Sequence, residues 1–271
     1  MSRDIAILSG DGQLPVLLQN ELPHAVVVVF DGMAHQLGDT PDIEAQFEHL
    51  GVLFEGLKQR GVKRVLMAGT MSRPHLSPKD FDPFMRSIET GLSAMISEGD
   101  DHLLSFVADH FHAQGFQIIS ALDVLPYCSA DTGTIVAGWD GSYASDLIKA
   151  DYVLSLIAKA DVAQAVVVEG GLVLGIETLQ GTDALLGFVS QTQAKLRNTT
   201  QKGILVKRPK FGQDLRFDIP CIGPKTVEQA ANAGLAGIVI SPKTVLLLGR
   251  DKLTARAKEL GVFIYATEPA V

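Results

Sequence analysis

The chain has 271 residues, 46% hydrophobic and 20% charged, enough for two domains with full cores. Its net charge of −8 excludes a general nucleic-acid binder, which would need a basic domain. Its longest apolar runs, such as 25–30 and 163–168, fall far short of the roughly 20 residues a membrane helix needs.

The first residues, M-S-R-D-I-A-I-L-S-G, run straight into a strand pattern and then glycines, which is no signal-peptide pattern. Cys128 and Cys221 lie far apart and form no metal-ligand spacing. The expectation is a soluble, cytoplasmic protein of a reducing compartment.

Along the chain, short apolar runs at 5–8, 25–30, 64–68 and 116–120 read as buried strands. Helical spacing at 15–22, 51–60, 80–97 and 100–114 falls between them. This alternation predicts α/β architecture with a parallel sheet and crossover helices. The stretch 126–140 is rich in small and turn-forming residues and reads as a linker that could act as a hinge. A helix at 142–159 opens the second half, with strands at 163–168, 173–176, 204–206, 237–240 and 262–266. The expected fold is two α/β domains. A Rossmann-like N-terminal nucleotide-binding domain takes 1–132, a C-terminal catalytic domain takes 133–271, and the active site lies between them.

Ser9-Gly-Asp-Gly-Gln-Leu-Pro15 follows the first strand and opens a helix. Gly10-x-Gly12 begins a dinucleotide fingerprint, but Pro15 stands in place of the third glycine. Asp31, ending the second strand, sits where a ribose carboxylate would. An NAD(P)-binding oxidoreductase is therefore one reading, and a purely structural turn is another. Ala68-Gly-Thr-Met-Ser-Arg-Pro74 follows a later strand; its Arg73 could clamp a phosphate or carboxylate, or form a surface ion pair. Asp100 or Asp101 in G-D-D-H-L-L could cap a helix, leaving the other carboxylate for a metal or a hydroxyl. His110 and His112, two apart, point to different helix faces. The apolar stripe Phe84, Met85, Ile88, Leu92, Met95, Ile96 suits a core, with a lipid groove as the alternative.

Charge is uneven between the halves. Residues 1–132 carry 8 Lys/Arg against 18 Asp/Glu, residues 133–271 carry 15 against 13, and eight of those 15 cations fall within 195–225. Such a cluster in an acidic chain suits a compact anion. Glu177 ends a strand, and Gly181-Thr182-Asp183 begins a helix whose N–H groups attract anions, unless Thr182 or Asp183 is simply a cap. With Lys207, Lys210, Arg216 and Asp218 these form a chemically coherent set. Cations neutralise a pyrophosphate while carboxylates hold a divalent ion or orient water. The alternative for Asp218 is an ion pair with Arg216.

The ordered motifs Gly-Asp-Gly-Gln-Leu-Pro (including Gln13), Ala-Gly-Thr-Met-Ser-Arg-Pro, Gly-Asp-Asp-x-Leu-Leu, Gly-Thr-Asp-Ala-Leu-Leu and Lys-x-Pro-Lys with Arg-Phe-Asp-Ile-Pro-x-Ile-Gly span 5–240. In them the chain resembles the LpxI-type UDP-2,3-diacylglucosamine pyrophosphatases of lipid A biosynthesis. The resemblance implies magnesium-dependent hydrolysis of a UDP-linked diacylated sugar to UMP and 2,3-diacylglucosamine 1-phosphate. It also implies a homodimer with at most transient contact with the inner membrane. The family's essential aspartate falls on Asp218, with Ile219 in place of Leu. Gln180 replaces a common Glu. The expected substrate contacts are Gly10, Gly12, Gln13, Arg73, Asp100, Asp101, Thr182, Asp183, Lys207, Lys210 and Arg216, with Asp218 and Glu177 on the metal. A non-catalytic UDP-sugar-binding protein is a further alternative.

Overall fold

The computed structural model describes residues 4–38, 41–72, 74–98, 100–197, 200–210 and 212–270; of residues 97, 98, 100, 101 and 159 it describes the backbone alone. The chain divides into two compact units. One is Met1–Pro126 with Asp214–Asp218, and the other is Tyr127–Gln213 with Ile219–Val271. Five residues from late in the chain thus belong with the first unit, which a division at 132 had not anticipated.

The first unit runs β1 (Ile5–Ser9), α1 (Gln13–Glu21), β2 (Val26–Phe30), β3 (Ile43–Ala45), α2 (Leu50–Gln59), β4 (Arg64–Ala68), α3 (Pro83–Glu98), α4 (Asp100–Ala113), β5 (Gln117–Ile118) and α5 (Ala121–Val124). Its sheet has the order β3-β2-β1-β4-β5 with every neighbouring pair parallel. β1 (IAILS) and β2 (VVVVF) are buried throughout, as strands covered on both faces require. Strand order reverses between β1 and β4, the position where open α/β sheets hold ligands beyond their carboxyl ends.

On one face of this sheet Phe54 meets Phe84 and Phe111 edge-on, with centroids 5.0 and 4.9 Å apart. Met85 and Leu92 of the α3 stripe are buried there, and Phe84, Ile88 and Ile96 pack against the same cluster. Five of the six stripe residues thus belong to or pack on the core, which favours the core reading over a lipid groove.

The second unit runs β6 (Gly133–Val136), α6 (Ala144–Ile157), β7 (Ala165–Glu169), β8 (Leu172–Ile176), α7 (Gly181–Ser190), β9 (Ile204–Lys207), β10 (Cys221–Ile222), α8 (Pro224–Asn232), β11 (Gly237–Ile240), β12 (Leu246–Leu247), α9 (Arg250–Leu260) and β13 (Phe263–Ala266). Its main sheet, ordered β6-β13-β11-β9-β7-β8, is mixed. β9, β11 and β13 are parallel, whereas β7 runs against β8 and β9, and β6 runs against β13. The reversal at β7–β8 follows from a two-residue turn. Gly170 and Gly171 have φ of 57° and 79°, the left-handed pair a tight hairpin demands. Asp146 accepts both their N–H groups, at 2.9 and 2.6 Å.

The stretch read as a linker is part of this unit. Its residues 133–136 are the edge strand β6, Cys128 and Ala130 are buried, and the Trp139 ring stacks on Tyr265 with centroids 4.6 Å apart. Small and turn-forming residues concealed an antiparallel edge strand, and from Tyr127 onward the stretch belongs to the second unit rather than to a free linker.

Candidate active site

The carboxyl edge of the first sheet is assembled from loops that follow β1, β4 and β5. The first two lie backbone against backbone. Gly10 N donates to Ala68 O at 2.8 Å, and Asp11 and Thr70 exchange N–H···O bonds of 2.9 Å each. A Cβ on Gly10 would stand 2.5 Å from Thr70 O, and one on Gly69 2.6 Å from Asp11 O. The requirement for glycine at position 10 therefore comes from loop-on-loop packing, which explains half a dinucleotide fingerprint without a dinucleotide.

Gly12 is the N-cap of α1 and offers no side-chain cap, so the first N–H groups of the helix remain available to an anion. Gln13, the first helical residue, is exposed. Asp31, also exposed, lines a cavity of about 330 Å³ together with Gln46, Phe47, Glu48, His75 and Asp80. Arg73 lies outside the described residues, and so do the side chains of Asp100 and Asp101, whose backbone opens α4.

Asp214–Asp218 docks on this unit. Ser120, just past β5, donates its hydroxyl to Leu215 O at 3.0 Å, and Phe217 packs against the core cluster of this unit. The segment holds its own shape through Asp214. The Asp214 carboxylate accepts from Arg216 N at 3.0 Å and from Arg216 Nε at 2.9 and 3.0 Å. Its carbonyl accepts from Phe217 N and Asp218 N at 3.2 and 3.4 Å. The Arg216 guanidinium also lies 5.2 Å from the Phe217 ring centroid. Its hydrogen bond to Asp214 lowers the Asp214 carboxyl below its ordinary value, against an opposing push from partial burial, and raises Arg216 in return. Arg216 thus pairs with Asp214, and half-buried Asp218 is carried at the end of a turn fixed at the sheet's carboxyl edge.

The cation cluster of the sequence resolves differently in the second unit. Lys207, at the end of β9, is 6% exposed. Its Nζ donates to Thr182 Oγ1 at 2.6 Å, and Thr182 in turn donates to Glu177 Oε1 at 2.5 Å. The other Glu177 oxygen accepts from Gln164 N at 3.2 Å. Arg208 Nε meets Asp151 Oδ1 at 2.9 Å, with both side chains buried. Lys210 pairs with Asp161, and Asp183 with Lys225 at 2.7 Å on the surface.

These contacts give Lys207, Arg208 and Lys210 partners within the second unit. Lys207 is buried and Thr182 half-buried, and both oxygens of Glu177 already accept hydrogen bonds within the second unit. Thr182 and Asp183 are not caps, since α7 has no side-chain cap bond. Sequence reasoning missed Ser120 and Asp151, because their partners lie 95 and 57 residues away.

Among the described residues no three His, Cys, Asp or Glu side chains are grouped to hold a metal ion, and no helix is long and apolar enough to cross a membrane.

Fold and site together define a two-domain α/β protein with a ligand-type loop edge on a Rossmann-like parallel sheet and a carboxylate delivered to it from the far end of the chain. Family models narrow this class: that of the LpxI N-terminal domain matches residues 4–128, and that of the LpxI C-terminal domain matches 139–265. The chain belongs to the LpxI family. It is 32% identical to the UDP-2,3-diacylglucosamine pyrophosphatase LpxI of Caulobacter vibrioides, over 98% of each chain. Membership in this family displaces the oxidoreductase reading, in keeping with the incomplete glycine fingerprint.

Proposed function

We propose that the chain hydrolyses the pyrophosphate of UDP-2,3-diacylglucosamine to UMP and 2,3-diacylglucosamine 1-phosphate, a step of lipid A biosynthesis. The observation that carries this reading is the likeness, spanning 98% of both chains, to a relative of that named activity. Water adds across one P–O bond of the bridge; the bond breaks, and each product leaves as a phosphate monoester.

In this reading Asp218 is the catalytic carboxylate, orienting water or accepting its proton. The uncapped first turn of α1, beginning at Gln13, donates backbone N–H groups to a phosphate oxygen, while the Gly12 N–H is held by the Asp11 carboxylate at 2.8 Å. Arg216, exposed on the same docked segment, offers a second positive group. Arg73, Asp100 and Asp101 stay in the proposed contact set on their motifs alone.

Magnesium needs only one or two protein carboxylates when substrate phosphates supply other oxygens, and Asp218 is the first candidate for that role, with Glu177 behind it. When bound, the ion would neutralise phosphate charge and lower the pKa of its water. A cytoplasmic homodimer, touching the inner membrane transiently to reach an acylated substrate, completes the proposal.

Incubation with UDP-2,3-diacylglucosamine and magnesium should yield UMP and the lipid 1-phosphate in equal amounts, and chelation should stop it. Binding without turnover in every divalent metal tried would leave only a UDP-sugar-binding protein. Turnover that survives exhaustive chelation would remove the metal and retain the reaction.

A further inference from the structure

We propose that Ser120 and Phe217 are positioning residues, which fix the 214–218 turn on the first sheet and thereby aim Asp218. This rests on the reading of Asp218 as the catalytic carboxylate. The turn has no strand or helix of its own, and several of its bonds return to Asp214. Those bonds give it a shape. Two contacts tie it to the first unit: the Ser120 hydroxyl on Leu215 O, and the Phe217 side chain set against the core cluster. Asp218 is next in sequence to Phe217, so a shift of the ring moves the carboxylate directly.

Ser120 has a second task, and that makes the idea testable. It is the N-cap of α5, where its Oγ accepts from Leu122 N at 3.2 Å while Asp123 Oδ2 accepts from Ser120 N at 2.9 Å. One hydroxyl therefore accepts for the helix and donates to the turn. Aspartate at 120 can still accept for the cap but has no proton for Leu215 O. Threonine can do both.

The experiment compares Ser120→Thr, Ser120→Asp, Ser120→Ala and Phe217→Ala with the full-length parent. UMP release gives kcat and KM, and amide hydrogen exchange is followed over 214–218. Misplacing a reacting group by about 1 Å costs on the order of 100-fold. Ser120→Asp, Ser120→Ala and Phe217→Ala should each lower kcat by roughly 10- to 100-fold with KM little changed, and speed exchange of the Phe217 and Asp218 amides. Ser120→Thr should match the parent in both. Parent-like kcat in Ser120→Asp would show that the hydroxyl serves the cap alone and overturn the proposal, as would faster exchange without loss of kcat. If the parent itself releases no UMP, the functional reading fails separately. Exchange unchanged in Ser120→Asp and Phe217→Ala would then sink the positioning role on its own.

Discussion

The central strands of the two sheets end in different ways. In the first unit β1 and β4 run out into glycine loops that lie on each other, and the first turn of α1 is left without a side-chain cap. In the second unit β9 runs out into Lys207 and Arg208, each buried and tied to a carboxylate system of its own. Both ends are polar, but the first is joined by backbone hydrogen bonds between loops and leaves the start of α1 without a side-chain cap, while the second ties its cations into the fold. A cation close to an aspartate in sequence is therefore no measure of positive charge available to a substrate; what matters is which partner it meets in three dimensions.

Removing a cation from the second unit gives the largest expected effect. Arg208→Ala would strand Asp151 in the interior and leave Thr267 O without its guanidinium donor, while Ala270 N keeps its bond to Asp151. A loss of about 3–5 kcal/mol in urea unfolding is expected, because half of a buried pair is costlier than none. The double variant Asp151→Leu/Arg208→Met should recover part of this, but not the share tied to those backbone groups. Lys207→Ala should also lose stability before it changes KM. A raised KM at an unchanged Tm would return Lys207 to the substrate and break the comparison.

The first unit should respond the opposite way. Asp218→Asn is expected to lower kcat by about 10²- to 10³-fold, the cost of losing one well-placed electrostatic group in a reacting site. Its Tm should stay close to the parent's, since a half-buried side chain at the end of a turn supports little packing. Near-normal turnover in this variant would remove Asp218 from the chemistry.

Much of the fold was legible because its signals are local. The runs IAILS and VVVVF can hardly be anything but buried strands, and the α3 stripe carries its helical period openly. β3, three residues long, and β6, glycine-led and at a sheet edge, lack that density of apolar residues and were lost among turn signals. The mixed character of the second sheet hung on Gly170-Gly171, a hairpin turn with two strands already beside it. In the site, the glycine loops and the Asp218 segment were visible as motifs. What the cations do was not, because Lys210 meets Asp161 from 49 residues away and Arg208 meets Asp151 from 57. Proximity along the chain paired only Arg216, and paired it with Asp214 instead of Asp218.

The smallest expected effect tests the Asp214–Arg216 ion pair of the docked segment. The hydrogen bonds from Arg216 hold the Asp214 carboxyl below its ordinary value, with partial burial acting in the opposite direction. A carboxyl depressed in the folded state and ordinary in the unfolded chain, near 3.9, stabilises fully above that ordinary value. The contribution fades as pH falls through the folded value, where the carboxylate takes up its proton. Between pH 7 and 5 the pair should therefore add a constant amount, and below about pH 4 progressively less. Because the Arg216 side chain is 55% exposed, the contribution should be modest and should shrink with added salt. Asp214→Asn keeps an oxygen for Arg216 N but exchanges the second acceptor for an NH2 group and removes the charge, so it removes the charge-assisted bonds while leaving the backbone contact. At low ionic strength the stability gap between parent and Asp214→Asn should be level from pH 7 to 5 and close toward pH 3. A gap that stays open to pH 3 would mean that Asp214 holds the turn by its hydrogen-bonding shape and not by its charge.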